Sequence, residues 1–149
     1  MYMRPKVKLV FEFVEYIPDE LKEHTLYISA KYGTAVHKCC CGCGREVVTP
    51  LSPTSWRLTF DGKSVSLYPS IGNWNLPCKS HYFITNNNVV WASQWNKRQI
   101  DRGRVAEAMA IKRYNSGIQH PVKDETPSGR SITGKPNKGL WSKIKMWFS

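Results

Sequence analysis

Apolar and polar positions alternate through much of the first part of the chain. Val7, Leu9, Phe11 and Phe13 alternate with Lys8, Val10 and Glu12, the period-two pattern of a strand with one face more buried than the other. Residues 25–32 read as a second strand running into a cysteine-rich segment. Residues 45–49 continue the pattern, and 56–60 with 64–68 predict a hairpin about the turn Asp61-Gly62. Residues 82–85 and 89–92 flank Asn86-Asn87-Asn88, a further turn signal. Residues 17–23, opened by Pro18-Asp19-Glu20, predict a single helical turn.

The period changes after Asn96. Residues 98–114 predict the one long helix, capped by Asn96, with Val105, Ala108, Met109 and Lys112 along one side and Gly117 ending it. Residues 118–139 are rich in Pro, Ser, Gly, Lys and Thr without apolar periodicity, the composition of a flexible linker. In residues 140–149 the pattern returns: Leu140, Trp141, Ile144, Trp147 and Phe148 fall in one helical arc beside Lys138, Lys143 and Lys145. Such an amphipathic tail folds back on its own domain, lies on an anionic membrane surface, or docks a partner.

A chain of 149 residues with 41% hydrophobic content buries one ordinary core. The net charge of +11 raises nucleic acid as a partner. The basic residues are spread from Arg4 to Lys145, however, and the densest group (Lys97, Arg98, Arg102, Arg104, Lys112, Arg113) fits a solvated helix face, which argues against nucleic acid. No apolar run has the length needed to cross a bilayer, so a soluble, cytoplasmic protein is expected.

All five cysteines and two of the four histidines fall into two clusters, His37-Lys38-Cys39-Cys40-Cys41-Gly42-Cys43-Gly44 and Pro77-Cys78-Lys79-Ser80-His81. Thiolates and imidazole next to turn-forming glycines are what a tetrahedral Zn2+ site needs. An odd cysteine count, three in a row, and no secretory leader argue against a disulfide scaffold. Two ligand sets are open. Cys39, Cys41, Cys43 and Cys78 would make a closed structural site that staples two loops and leaves Cys40 spare. Two or three cysteines with His81 would leave a position for water and hydrolytic chemistry. Glu46 is the one nearby carboxylate for the second case, and the ligand turn of zinc deaminases is only half matched, since their His-x-Glu element is missing.

Between the clusters, Ser66-Leu67-Tyr68-Pro69-Ser70-Ile71-Gly72-Asn73-Trp74 mixes hydroxyls, Gly, Asn and Trp in a stretch too irregular for a plain strand. A serine becomes a nucleophile only with an imidazole in hydrogen-bond reach and donors awaiting the oxyanion. Ser66, Ser70 and Ser80 are candidates for the first role, His37 and His81 for the second, and Asn73 or glycine-turn amides for the third. Asp61, Asn73 and Asn96 are candidates to orient the imidazole. Adjacent Ser80 and His81 point to opposite faces of a strand, so His37 on Ser80, or His81 on Ser70, is the easier pairing.

The run Ala35-Val36-His37-Lys38-Cys39-Cys40-Cys41-Gly42-Cys43-Gly44, then Pro50-Leu51-Ser52, the Ser66-to-Trp74 stretch, Pro77-Cys78-Lys79-Ser80-His81-Tyr82-Phe83-Ile84 and Val90-Trp91 resemble a bacterial family of domains of unknown function. Its members are encoded beside ubiquitin-like proteins and their activating and conjugating enzymes, and the match spans residues 25–95. The resemblance implies a peptidase that matures a ubiquitin-like modifier or removes it from targets. The family keeps four cysteines and has a small residue or proline at the place of Cys40, which favours the closed thiolate set.

The resulting expectation is a β-rich α+β fold, a small zinc-stapled antiparallel sheet with one long helix near the C-terminus and a basic, aromatic tail. Residues 1–117 form the zinc-binding catalytic domain, 118–139 a linker and 140–149 the tail. Ser80 or Ser70 attacks, and His37 or His81 takes the proton. A noncatalytic zinc adaptor that recruits the modifier or its target is the rival reading, and a zinc metallopeptidase the third.

Overall fold

The structure, a computed structural model, describes residues 4–117. The linker and amphipathic tail expected over 118–149 lie outside the described residues. Eight strands and one helix follow in the order β1 (Val10–Phe13), β2 (Thr25–Ser29), β3 (Thr34–Lys38), β4 (Glu46–Pro50), β5 (Arg57–Phe60), β6 (Val65–Gly72), β7 (His81–Thr85), β8 (Asn88–Trp91) and α1 (Lys97–Asn115). They form the β-rich α+β body expected, its strands divided over two four-stranded sheets, β1-β2-β3-β4 and β5-β6-β7-β8. Every pairing is antiparallel except β1 with β2.

One core draws on both sheets: Leu26, Ile28, Ala35 and Val47 from the first, Val65, Leu67, Ile71, Tyr82 and Ile84 from the second. β2 is buried along its whole length, while β4 buries only Val47 and Thr49, the alternation of a half-exposed strand. The N-terminal segment ties the sheets together. Val7 and Leu9 exchange backbone hydrogen bonds with Val89 and Asn87, after which Val10–Phe13 passes to β2. The alternation over residues 7–13 is thus shared between two partners.

Two local expectations change. The strand read over 25–32 turns back after Ser29. Gly33 (φ +56) donates to the Ala30 carbonyl across the reversal and sends Thr34–Lys38 antiparallel to β2. The helical turn over 17–23 does not form. Seven residues are too few to hold a helix alone, and the backbone around them bonds to β2: Val14 N–H to the Ile28 carbonyl (2.9 Å), Lys22 N–H to the Tyr27 hydroxyl (3.2 Å).

The hairpins follow the turn chemistry. Asp61 accepts hydrogen bonds from the Lys63 and Ser64 amides (2.8 and 2.7 Å), which holds its carboxyl below the usual range. Asn86 and Asn87 both take left-handed conformations (φ 47 and 66), the turn that matches strand twist. α1 opens on a capping box in which Asn96 accepts from the Gln99 amide and Gln99 reaches back to the Asn96 amide. It buries none of its residues, so its apolar side, with Val105 and Met109, stays at the surface. No helix among the described residues is long and apolar enough to cross a membrane.

Candidate functional site

Two features converge beside β7, a cluster of thiols and a serine–histidine pair. The thiols come from two turns. After β3 the Cys39 amide donates to the Arg45 carbonyl and the Gly42 amide to the Cys39 carbonyl, with Gly42 and Gly44 at φ 90 and 75. Before β7, the Lys79 amide closes a turn on the Leu76 carbonyl and presents Cys78. The Sγ atoms of Cys39, Cys41, Cys43 and Cys78 all lie within 4.8 Å of one another. A zinc–sulfur bond of about 2.3 Å gives a tetrahedron with edges of about 3.8 Å. Cys39 and Cys78 are 3.8 Å apart, Cys43 and Cys78 3.9 Å, and Cys39 and Cys41 3.4 Å. The donor set therefore fits a four-thiolate metal site, and neither His37 nor His81 belongs to it. This removes the ligand set with His81.

Ser80, 2% exposed, serves this cluster. Its Oγ lies 3.1 Å from Cys39 Sγ and 3.5 Å from Cys78 Sγ and accepts from Asn73 Nδ2 at 2.9 Å. Burial acts against the Cys78 thiolate, but the Ser80 hydroxyl and amide, with the neighbouring thiols, bring that thiol down to about 7. Cys40 turns the other way, into the core, where burial pushes its thiol up to about 12. It is a buried neutral thiol rather than a ligand. All five cysteines are free of disulfides.

His37 is fully buried on β3, its Nε2 2.7 Å from the Tyr82 hydroxyl and its Nδ1 without a partner. Burial pushes it down to about 4, so the ring is neutral at pH 7. Its bonding goes to Tyr82 rather than to Ser80 or any other serine.

His81 has the opposite setting. On the β6–β7 ladder it stands opposite Gly72, and Ser70, two residues back on β6, shares that face. The register shifts between Leu67 and Ile71, so the ladder is irregular where it carries Ser70. Ser70 Oγ lies 2.8 Å from His81 Nε2, and His81 Nδ1 lies 2.6 Å from the carbonyl oxygen of Ser93, just past β8. A carbonyl only accepts, so Nδ1 carries the proton of the neutral ring and Nε2 turns its lone pair to the Ser70 hydroxyl. Hydroxyl, imidazole and backbone carbonyl thus lie in one hydrogen-bonded line, the arrangement that a nucleophile, a base and its orienter require.

Two tryptophans frame the imidazole. Trp74 is 4.9 Å from the His81 ring and Trp95 5.2 Å, and the two indoles stack at 5.7 Å. Both need a missing side chain. A Cβ on Gly72 would collide with Trp74, and one on Gly103 of α1 would stand 3.0 Å from Trp95. Arg104 donates to Asn75 Oδ1 (2.9 Å) and ties α1 to the loop carrying Trp74.

The other sequence candidates have structural partners. Ser66 Oγ accepts from the Asn86 amide (2.9 Å), Asp61 closes its hairpin, Asn96 caps α1 and Asn73 bonds Ser80, so none of these orients an imidazole and Asn73 is not aimed at Ser70. The Ser93 carbonyl, Trp95 and Tyr82 were not among the candidates. A backbone carbonyl leaves no mark in a sequence, and Tyr82 reads as an ordinary strand residue.

A protein-family model described as bacterial ubiquitination-like system serine protease (BubE) matches residues 13–92, more than half of the chain and the segment that holds both the thiol cluster and the Ser70–His81 pair. No curated protein and no solved structure matches the chain.

Proposed function

This chain belongs to the family of bacterial ubiquitination-like system serine proteases, and on that premise we propose that it is a peptidase and deconjugase that cleaves at the carboxyl terminus of a ubiquitin-like protein, with Ser70 as nucleophile and His81 as base. The observation that carries the reading is the continuous hydrogen-bond line from Ser70 Oγ through His81 to the Ser93 carbonyl.

In the first half-reaction Ser70 Oγ attacks the scissile carbonyl carbon as its proton passes to His81 Nε2. The Ser93 carbonyl stabilises the imidazolium and holds the ring plane. Collapse of the tetrahedral intermediate breaks the bond to the leaving amine, which takes the proton from Nε2 and leaves the carboxyl terminus as an ester on Ser70. Water then attacks that ester, gives its proton to Nε2, and the proton returns to Ser70 Oγ as the acid leaves. Trp74 and Trp95 against the imidazole restrict its rotation and shield it from solvent.

Cys39, Cys41, Cys43 and Cys78 would hold a zinc ion, whose chemistry with four thiolates is structural, a crosslink between the turn after β3 and the turn before β7. Ser80 and Asn73 support the sulfurs, and no proton or bond in the cleavage passes through them. His37 of the first sheet and Tyr82 of the second form a neutral buried pair apart from this chemistry.

The test is a fusion carrying extra residues after the carboxyl terminus of a bacterial ubiquitin-like protein, incubated with the full chain. Cleavage at the junction is expected, reduced by at least ~1,000-fold in Ser70→Ala and in His81→Ala, with Ser80→Ala keeping activity in proportion to its metal content. Binding without cleavage would instead support the adaptor reading.

A further inference from the structure

We infer that the substrate's extended chain binds as an added strand on the open edge of β6, hydrogen-bonded to the backbone of Ser70 and Gly72. The inference rests on Ser70 being the nucleophile and concerns how the peptide is held there.

β6 runs over Val65–Gly72, but β5 covers only part of it. Their pairing ends at Arg57 with Tyr68, and the chain before Arg57 leaves the sheet, Trp56 bridging instead to Leu51. On its other side, β6 stays paired with β7 to its end through Ile71 with Tyr82 and Gly72 with His81. The segment from Pro69 to Gly72 therefore has one paired edge and one open edge.

Backbone groups alternate between the two edges of a strand. Beyond the register shift, the Asn73 amide donates to the Ser80 carbonyl (2.8 Å), so Asn73 and, two residues back, Ile71 turn their backbone groups to β7. Within each peptide the C=O and N–H point opposite ways, so the C=O of Ser70 and the N–H and C=O of Gly72 aim at the open edge. Among the described residues, no backbone hydrogen bond outside the ladders uses either of them. Tyr68 and Pro69 are exposed and Ser70 is half-buried, so the edge is reachable.

An extended peptide laid here gains main-chain hydrogen bonds at alternate residues, as in strand addition generally. It is also delivered to the nucleophile, because one of the two pairing residues is Ser70 itself. An unfolded, extended segment is required, so a carboxyl-terminal tail fits and a folded loop does not.

The test compares rates of Ser70 modification in the full chain by a small alkyl fluorophosphonate, a single-residue diphenyl phosphonate, an alanine-based tetrapeptidyl diphenyl phosphonate, and four versions of the last with one backbone amide N-methylated. The tetrapeptide is expected to react at least ~10-fold faster than the single residue. N-methylation at alternate residues should cost ~5–10-fold each, the equivalent of one hydrogen bond, and at the intervening residues should cost little. No gain with peptide length, or a loss without alternation, overturns strand addition while leaving Ser70 as nucleophile. A fluorophosphonate adduct that never falls on Ser70 overturns the nucleophile assignment and this inference with it.

Discussion

Gly72→Ala perturbs the site without touching a reacting atom. The backbone of Gly72 lies outside the left-handed region, so alanine meets no conformational strain, and the whole effect comes from one methyl group. That Cβ would stand 2.5 Å from Trp74 Cε2 and 2.8 Å from Cζ2, and closer still to Nε1, where ordinary contact begins at 3.4 Å. The indole must shift by about 1 Å, and it cannot swing freely because it packs on His81 and stacks on Trp95. Overpacking of this kind costs about 1–3 kcal/mol, which lowers the melting temperature by roughly 4 °C per kcal/mol in a domain of this size. Displacing the ring that holds the imidazole plane moves Nε2 off Ser70 Oγ, and a misplacement near 1 Å costs up to ~100-fold in rate. The assay is the rate of fluorophosphonate labelling beside a melting curve. Adding Trp74→Ala should recover most of the stability and little of the rate. Wild-type stability and rate in Gly72→Ala would refute the proposed packing of Trp74 across Gly72.

The thiol cluster and the buried pair give further outcomes. Cys78→Ser should lose stoichiometric metal by elemental analysis and lower the melting temperature, whereas Cys40→Ala should keep the metal and cost only about 1 kcal/mol, the loss of a small buried group. Tyr82→Phe leaves His37 Nε2 buried without its partner, so denaturant titration should show a loss of about 1–3 kcal/mol. The labelling rate at folded conditions should stay within ~3-fold, because neither group contacts Ser70 or His81.

Much of the fold was legible because local chemistry decided it. Asp61-Gly62 and the three asparagines at 86–88 dictate their turns, and Asn96 with Gln99 dictates the start of α1. What failed depended on distant partners. The reversal at Gly33 has one glycine and no Asn or Pro to announce it, and residues 17–23 lost their helix to hydrogen bonds from a neighbouring strand. The two thiol clusters were legible from spacing, since turn glycines and grouped cysteines are local features, and the resemblance favoured the four cysteines whose sulfurs the fold brings together. Choosing between the two serine–histidine pairs was not possible from sequence, because the choice rests on the register of β6 against β7 and on a carbonyl at Ser93 that no side chain marks.

The most direct measurement is to react the full chain with an alkyl fluorophosphonate and map the adduct by peptide mass spectrometry, in the wild type and in His81→Ala, Ser80→Ala and Tyr82→Phe. The predicted result is a single adduct on Ser70, formed at least ~100-fold more slowly in His81→Ala and retained in the other two variants. An adduct on Ser80, or labelling of Ser70 at the wild-type rate without His81, would contradict the account.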